Sequence, residues 1–211
     1  MKCLLILPLF LAASCSSTSY GDATATETVN VAWGSTDLQT FSGEMVDSLM
    51  GAPGLNFLDH SGKGDDKRIA LYFGGIENLT GEHIDLGGLR DKMTASLVGK
   101  GKFRVVAEIQ GQAEIEQQVR FQQGSGRVDP AQAKAFGKQL GADVVLFGAL
   151  RDITKEKGRS LETAGVKTKD VYFQLVLQLV NIETGEIIWA EEGEIRKAQR
   201  TGVFGLSLIH I

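Results

Sequence analysis

Residues 171–195 read VYFQLVLQLVNIETGEIIWAEEGEI, and this stretch decides the fold. In its first half apolar and polar residues alternate, which is the period of a β-strand with one buried face. The buried face would carry Phe173, Leu175, Leu177 and Leu179. The segment Glu183-Thr184-Gly185 separates the two halves and is typical of a turn. The pattern therefore predicts a β-hairpin with strands at 171–182 and 186–195, whose apolar face is covered by helices.

Three further apolar runs predict strands at residues 68–76, 102–108 and 142–150, and we expect the first of them to be buried on both faces. A helix is predicted over 85–98, because residues 86, 89, 93 and 97 form an apolar stripe. Other helices are predicted from residue 41 to Gly51, over 109–122, and from Asp129-Pro130 to Gly141. Strands alternating with helices and followed by a hairpin indicate an α/β (α+β) fold: a mixed sheet with flanking helices and a C-terminal β-hairpin.

The N-terminus has the layout of a secretory signal. Lys2 is followed by an apolar run over residues 4–11 and by small residues at 12–14, directly before Cys15. The run is too short to cross a bilayer as a helix. Small residues before a cysteine favour lipidation of that cysteine, and the alternative is an ordinary cleaved signal. We assign 1–14 to the signal peptide and 15–40, rich in Ser, Thr, Ala and Gly, to the lipidated Cys15 and a flexible tether.

The remaining residues divide into a globular domain, 41–200, and a tail, 201–211, which is either an extra edge strand or foreign to the natural protein. With 43% apolar residues the chain can bury a sizeable core. Its formal charge of −4 and its mixed charges argue against a nucleic-acid partner. Trp189 is interpreted as sheet packing, with an exposed partner-binding anchor as the alternative.

No motif in the sequence carries a reaction. Both cysteines lie within the first 15 residues, so a zinc cluster is not expected, and the three histidines are isolated in sequence. The Gly-rich segments do not fit a phosphate loop, and Ser96 and the serines of the tether have no nearby histidine to activate them. We therefore expect no enzymatic activity, no cofactor, no metal and no small-molecule substrate.

Three segments resemble the penicillin-binding-protein activator lipoproteins, the LpoB family: GKFRVV (101–106), LGADVVLFGAL (140–150) and FQLVLQLVNIETGEIIW (173–189). A weaker match over 77–97 stands in the place of that family's Asn-Arg-Thr loop and following helix. Asn78 and Thr80 fit this loop, and Leu79 does not. The resemblance covers most of residues 41–196.

The resemblance implies a domain similar to the N-terminal domain of TolB, and an outer-membrane lipoprotein on the periplasmic face. Its partner would be a bifunctional peptidoglycan synthase, a class A penicillin-binding protein, which it would activate by docking on a small non-catalytic domain. Lys138 falls where the family has a basic residue, and Arg127 lies nearby. Both are hypothetical partner-binding residues, and the alternative is that they are solvated cations.

One departure from the family is the arm after Cys15, which is short and almost free of proline, whereas the best-known members have a long Pro-rich arm. Either this envelope is narrower or the partner differs. The alternative function is a secretion or structural lipoprotein of the curli-secretion (CsgG-like) type, which assembles into rings.

Overall fold

The computed structural model describes residues 21–107, 117, 120, 141–202 and 207–210, apart from residues 28, 62, 161 and 162. Two α-helices and one 3-10 helix lie in the first half of this part, at α1 (Ser35–Gly51), Pro53–Phe57 and α2 (Gly87–Gly99). The described strands are β1 (Ile69–Leu79), β2 (Phe103–Val105), β3 (Val144–Lys157), β4 (Lys167–Asn181), β5 (Ile187–Thr201) and β6 (Ser207–His210).

The strands form one mixed sheet in the order β2-β1-β3-β4-β5-β6. β1 pairs in parallel with β2 and β3, whereas β3, β4, β5 and β6 pair antiparallel in succession. The predicted hairpin is β4–β5, and its turn contains Gly185 at φ 75°, a backbone conformation that favours glycine. The predicted fold class, a mixed sheet with helices and a C-terminal hairpin, is confirmed.

The core lies between the helices and one face of the sheet. Phe173, Leu175, Leu177 and Leu179 of β4 are all fully buried, as the alternation predicted. The helices contribute buried stripes of Phe41, Met45 and Leu49 from α1 and Leu89, Met93 and Leu97 from α2. Gly193 of β5 permits close approach, because a Cβ there would stand 2.7 Å from side-chain atoms of Phe41 and Met45. Trp189 is also buried, so its packing interpretation is confirmed.

The ordered chain begins earlier than the boundary predicted at residue 40. α1 starts at Ser35, and Val31 is only 1% exposed. Trp33 stacks on Phe41 with ring centroids 5.6 Å apart and meets Phe173 edge-on at 5.5 Å. The composition of residues 31–40 resembles that of a linker, because the first turn of α1 is polar. That these residues pack against the core is evident only from their tertiary contacts.

Two strands differ from their predicted form. β1 is buried only over its first half, and the residues from Gly74 to Leu79 are half-buried or exposed, so the expectation of burial on both faces was wrong for that half. β3 continues to Lys157 beyond the predicted end at Leu150 because its backbone stays paired with β4. β3, β4 and β5 therefore extend past the part of the sheet that the helices cover.

Several predictions fall on residues that the structure does not describe. Cys15, Arg127 and Lys138 lie outside the described residues, as do residues 1–20 and the helix predicted from Asp129. Within the tail, Ser207–His210 forms β6 and pairs with β5, which agrees with the edge-strand alternative. Of the helices described, none combines the length and apolar character required to cross a bilayer.

Candidate partner-binding surface

The second face of the sheet, defined here as the face turned away from α1 and α2, carries exposed apolar side chains. The strand register places Leu79 opposite Arg151 and Ile153 opposite Tyr172 on this face. Leu79 is 50% exposed and Ile153 is 56% exposed. Half-exposed large aliphatic residues next to charged neighbours are a common composition for a protein contact site.

A β-bulge puts Leu79 on this face. The pairing of β1 with β3 shifts by one residue between Phe73 and Gly75, and Gly75 has φ 105°. Before the bulge Phe73 faces the core, so an unbroken alternation would also turn residue 79 toward the helices. The shift instead directs Leu79 to the second face and Asn78 to the helix side.

Asn78 organises the turn that follows β1. Its side-chain carbonyl accepts hydrogen bonds from the backbone N–H of Thr80 at 3.0 Å and from the Thr80 hydroxyl at 2.7 Å. Its side-chain amide donates to the Glu82 carbonyl at 2.9 Å. One side chain thus closes a short Asx-type turn and fixes the backbone that presents Leu79.

Two longer-range contacts tie this turn to the rest of the domain. The Gly81 N–H donates to the Asp152 carboxylate of β3 at 2.8 Å. The Trp33 N–H donates to the Glu82 carboxylate at 3.1 Å. The turn is therefore held from the sheet and from the segment before α1, and a rigid presentation lowers the entropy cost of binding.

A depression of about 360 Å³ lies near the outer ends of β3, β4 and β5, on the second face. It is lined by Ile153, Lys155, Asp170, Tyr172 and Arg196. An apolar centre with a polar rim is the usual anatomy of a protein interface. This depression and the exposed Leu79 form the candidate partner-binding surface.

Hydrogen bonds between β4 and β5 set the side chains of this depression. The Arg196 guanidinium donates to Asp170 at 2.5 and 3.1 Å and holds the pKa of Asp170 below its ordinary value. The Tyr172 hydroxyl donates to the Glu194 carboxylate, and this hydrogen bond raises the pKa of Tyr172 to about 12. The paired groups are solvent-accessible, so their role is to orient side chains more than to stabilise the fold.

A second hollow, of about 540 Å³, lies between β1, β3 and β4. Gly148 contributes to its lining, and a Cβ at that position would stand 2.0 Å from the Val176 carbonyl oxygen. Phe147 lines the same hollow and is 38% exposed. The glycine is thus required by the close approach of β3 to β4.

Within the ranges that the structure describes, no three His, Cys, Asp or Glu residues converge to hold a metal ion. His83 is exposed on the turn after β1, and His60 is half-buried after the 3-10 helix. The surface offers apolar area, oriented charges and a rigid turn, which suit a macromolecular partner.

The sequence did not single out Ile153 or Tyr172 as functional residues, and it noted Leu79 only as a mismatch in the resembling loop. Ile153 lies beyond the predicted end of β3, in a run whose polar residues hide its strand character. No periodic signal could have found it, because Ile153 is the single large apolar residue between Leu150 and Leu161.

Comparisons with known proteins give one family model and several solved structures. The family model described as peptidoglycan-synthase activator LpoB matches residues 37–195. Among solved structures, the LpoB C-terminal domain from Salmonella enterica has 18% identity and a TM-score of 0.42, with 75% of this chain and 98% of that chain covered. The same domain from Escherichia coli has 19% identity and a TM-score of 0.40, with 74% and 97% covered.

An NMR structure of E. coli LpoB has 18% identity and a TM-score of 0.39, with 92% of this chain and 82% of that chain covered. A search of curated proteins finds no significant sequence match. The assignment rests on the family model, which spans well over half of the 211 residues. The chain therefore belongs to the LpoB family of peptidoglycan-synthase activators.

Proposed function

We propose that this protein is an outer-membrane lipoprotein, anchored through Cys15, that binds a class A penicillin-binding protein and activates its peptidoglycan synthesis. The observation that carries the proposal is the family match over residues 37–195, which includes α2, all but the first two residues of α1, and all of β1 to β4. The exposed pair Leu79 and Ile153 supplies a surface on which a synthase domain can dock. The protein itself contributes no chemical step.

Activation through docking follows from linked equilibria. If the lipoprotein binds the active conformation of the synthase more tightly than the inactive one, binding shifts the population toward the active form. Coupling energies of this kind are typically about 1–3 kcal/mol, which changes the ratio of the active to the inactive conformation about 5- to 150-fold. A rigid docking surface favours such coupling, because little of the binding energy is lost in ordering it.

Anchoring at Cys15 is supported by the sequence around it. The apolar run over 4–11, the small residues at 12–14 and the cysteine at 15 match a lipoprotein signal, and Ser16 is compatible with outer-membrane retention. Several acyl chains on one residue anchor a protein far more strongly than one chain does. Mass spectrometry of the protein purified from membranes should find acyl chains on Cys15 and none in a Cys15→Ser variant.

The central experiment adds the mature chain with Cys15→Ser to purified class A synthases and measures glycan polymerisation and peptide cross-linking. Both rates should rise several-fold, while the protein alone should neither make nor cut glycan strands. If no class A synthase binds or responds, the proposed function is refuted. Size-exclusion chromatography of the same protein distinguishes synthase activation from the alternative function. A stable ring of many subunits would favour a secretion role.

A further inference from the structure

The outer ends of β3, β4 and β5 are basic in a protein that is acidic overall. Residues 151–170 and 194–202 together contain nine basic and five acidic residues, whereas the whole chain carries a net charge of −4. Lys197 among them is neutralised by the buried Asp37, which lies outside both ranges, so the excess is three positive charges. The strand register brings the two segments together, because β4 pairs with both β3 and β5 there. We call this region the basic end. Its nine basic residues are Arg151, Lys155, Lys157, Arg159, Lys167, Lys169, Arg196, Lys197 and Arg200.

Much of this positive charge is not neutralised within the described part of the protein. Lys155, Lys157 and Arg200 are exposed and Lys169 is half-buried, and none of the four pairs with a described carboxylate within 4 Å. The register of β3 against β4 places Lys155 and Lys157 on the second face and Lys169 on the helix side. The basic end therefore presents cations on both sides of the projecting strands.

The polypeptide enters the domain at this same end. Lys197, which is paired with Val171, donates to the Ala32 carbonyl at 2.8 Å. The Gln39 side-chain amide donates to the Ala23 carbonyl at 2.6 Å, so the chain is held against the start of α1 as far back as Ala23. Ala32 thus lies beside the end of the sheet that carries the basic residues, and Ala23 lies beside the first turns of α1.

This path limits how far the domain can stand from its anchor. Cys15 precedes Ala23 by eight residues, and eight residues span at most about 30 Å when fully extended. A lipidated Cys15 would keep the start of α1 within that distance of the bilayer. Lys197 of the basic end is joined to the start of α1 through Asp37, so the basic end lies close to where the chain enters the domain.

We propose that the basic end docks on anionic phospholipid headgroups of the membrane that holds Cys15. The inference rests on the lipid anchor of the proposed function. Each Lys or Arg close to an anionic surface raises membrane partitioning about fivefold. Membrane contact through this end orients the domain, with the hairpin turn at 182–186 directed away from the bilayer.

The test uses the mature chain with Cys15→Ser, which cannot be lipidated, and vesicles of phosphatidylcholine with or without about one third phosphatidylglycerol. We expect co-sedimentation with the anionic vesicles only, and loss of it at high salt because exposed charges are screened. The variant with Lys157→Gln, Lys169→Gln and Arg200→Gln, none of which lines the depression at Ile153, should partition about 100-fold less. The matched control has Lys67→Gln, Lys92→Gln and Lys100→Gln, which removes the same charge elsewhere and should bind as the parent does.

Absence of binding to anionic vesicles, or equal loss in the two triple variants, would overturn the inference. Stimulation of the synthase is measured with the same proteins, so the two proposals fail separately. If the parent stimulates a synthase but ignores anionic vesicles, only the membrane inference is refuted. A further outcome is that none of the proteins binds vesicles and the first triple variant loses binding to the synthase. In that case the basic end contacts an acidic surface of the synthase and not the membrane.

Discussion

Lys197 Nζ lies 2.5 Å from Asp37 Oδ2 in the interior of the protein, where the two side chains are only 4% and 1% exposed. The pair joins the first turn of α1 to β5, across 160 residues of sequence. Lys197 also donates to the Ala32 carbonyl and lies 5.9 Å from the centre of the Phe173 ring. The Asp37 carboxylate accepts from the Gly34 N–H at 2.8 Å as well, so one buried pair holds the helix start and the entering chain.

Removing one member of this pair should destabilise the domain strongly, because the other charge remains buried without its partner. We expect Asp37→Asn, which can keep the hydrogen bond from Gly34, to lower the free energy of unfolding by about 3–5 kcal/mol. Urea denaturation followed by circular dichroism measures this. The double variant Asp37→Asn with Lys197→Met should recover much of the loss, since no lone charge remains. A single variant that loses less than about 1 kcal/mol would contradict the role of the pair.

Gly193 should not tolerate a side chain. A Cβ there would stand 2.7 Å from side-chain atoms of both Phe41 and Met45, so Gly193→Val should separate α1 from β5 and cost about 1–3 kcal/mol. Gly43→Ala is the control: it is exposed on the same helix, has no atom within 4 Å of its Cβ position, and should stabilise the helix by about 0.5–1 kcal/mol. Thermal unfolding of both variants measures whether each substitution raises or lowers stability. A stabilising effect of Gly193→Val would refute the packing argument.

Ile153→Asp should weaken binding to the synthase about tenfold or more, because a charge would replace an apolar contact at the centre of the candidate surface. The matched control is Ile187→Asp, since Ile187 is also 56% exposed but lies at the opposite end of β5. Neither change should alter the melting temperature much, because both side chains are largely in solvent. Surface plasmon resonance with immobilised synthase measures the affinities. If the two substitutions had equal effects on the affinity, Ile153 would not be part of the synthase-binding surface.

Asn78→Ala should loosen the turn after β1. The Thr80 N–H loses its acceptor, so its hydrogen exchange should accelerate, and the domain should lose about 1–2 kcal/mol of stability. Asn78→Asp keeps an acceptor for Thr80 but loses the donor to the Glu82 carbonyl, and it should retain most of the protection of the Thr80 amide. Unchanged exchange in Asn78→Ala would show that the turn is held by other contacts.

Tyr172 should ionise late in an alkaline titration. Its hydrogen bond to Glu194 raises its pKa to about 12, so the neutral phenol is favoured in the folded state. The resulting stabilisation is complete below pH of about 10, the ordinary pKa of tyrosine, and is lost as the pH rises toward 12. Phenolate absorbance measures this, and Glu194→Gln should move the late phase toward lower pH. A titration of Tyr172 that is indifferent to Glu194→Gln would show that the hydrogen bond does not control it.

Local periodicity was sufficient for the elements that bury a regular stripe. The alternation through Phe173, Leu175 and Leu177 and the spacing of Leu89, Met93 and Leu97 predicted which side chains form the core, and all six are fully buried. Such patterns survive in a single sequence because burial of apolar area dominates the energetics of each element. The mixed sheet and the hairpin followed from the same signal.

Three features depend on tertiary contacts that the sequence does not reveal: the start of α1, the face on which Leu79 lies, and the clustering of cations at the basic end. Asp37 lies in a polar stretch that resembles a linker. Its burial depends on the ion pair with Lys197, and no local sequence pattern connects these two residues. The bulge at Gly75 reverses the face of Leu79, and an inserted register shift leaves no periodic trace. The cations at 155, 157, 169 and 200 are scattered along the chain and meet only because β3, β4 and β5 pair. Sequence periodicity reports what each element buries against the core, whereas contacts between distant segments are set by how the whole chain packs.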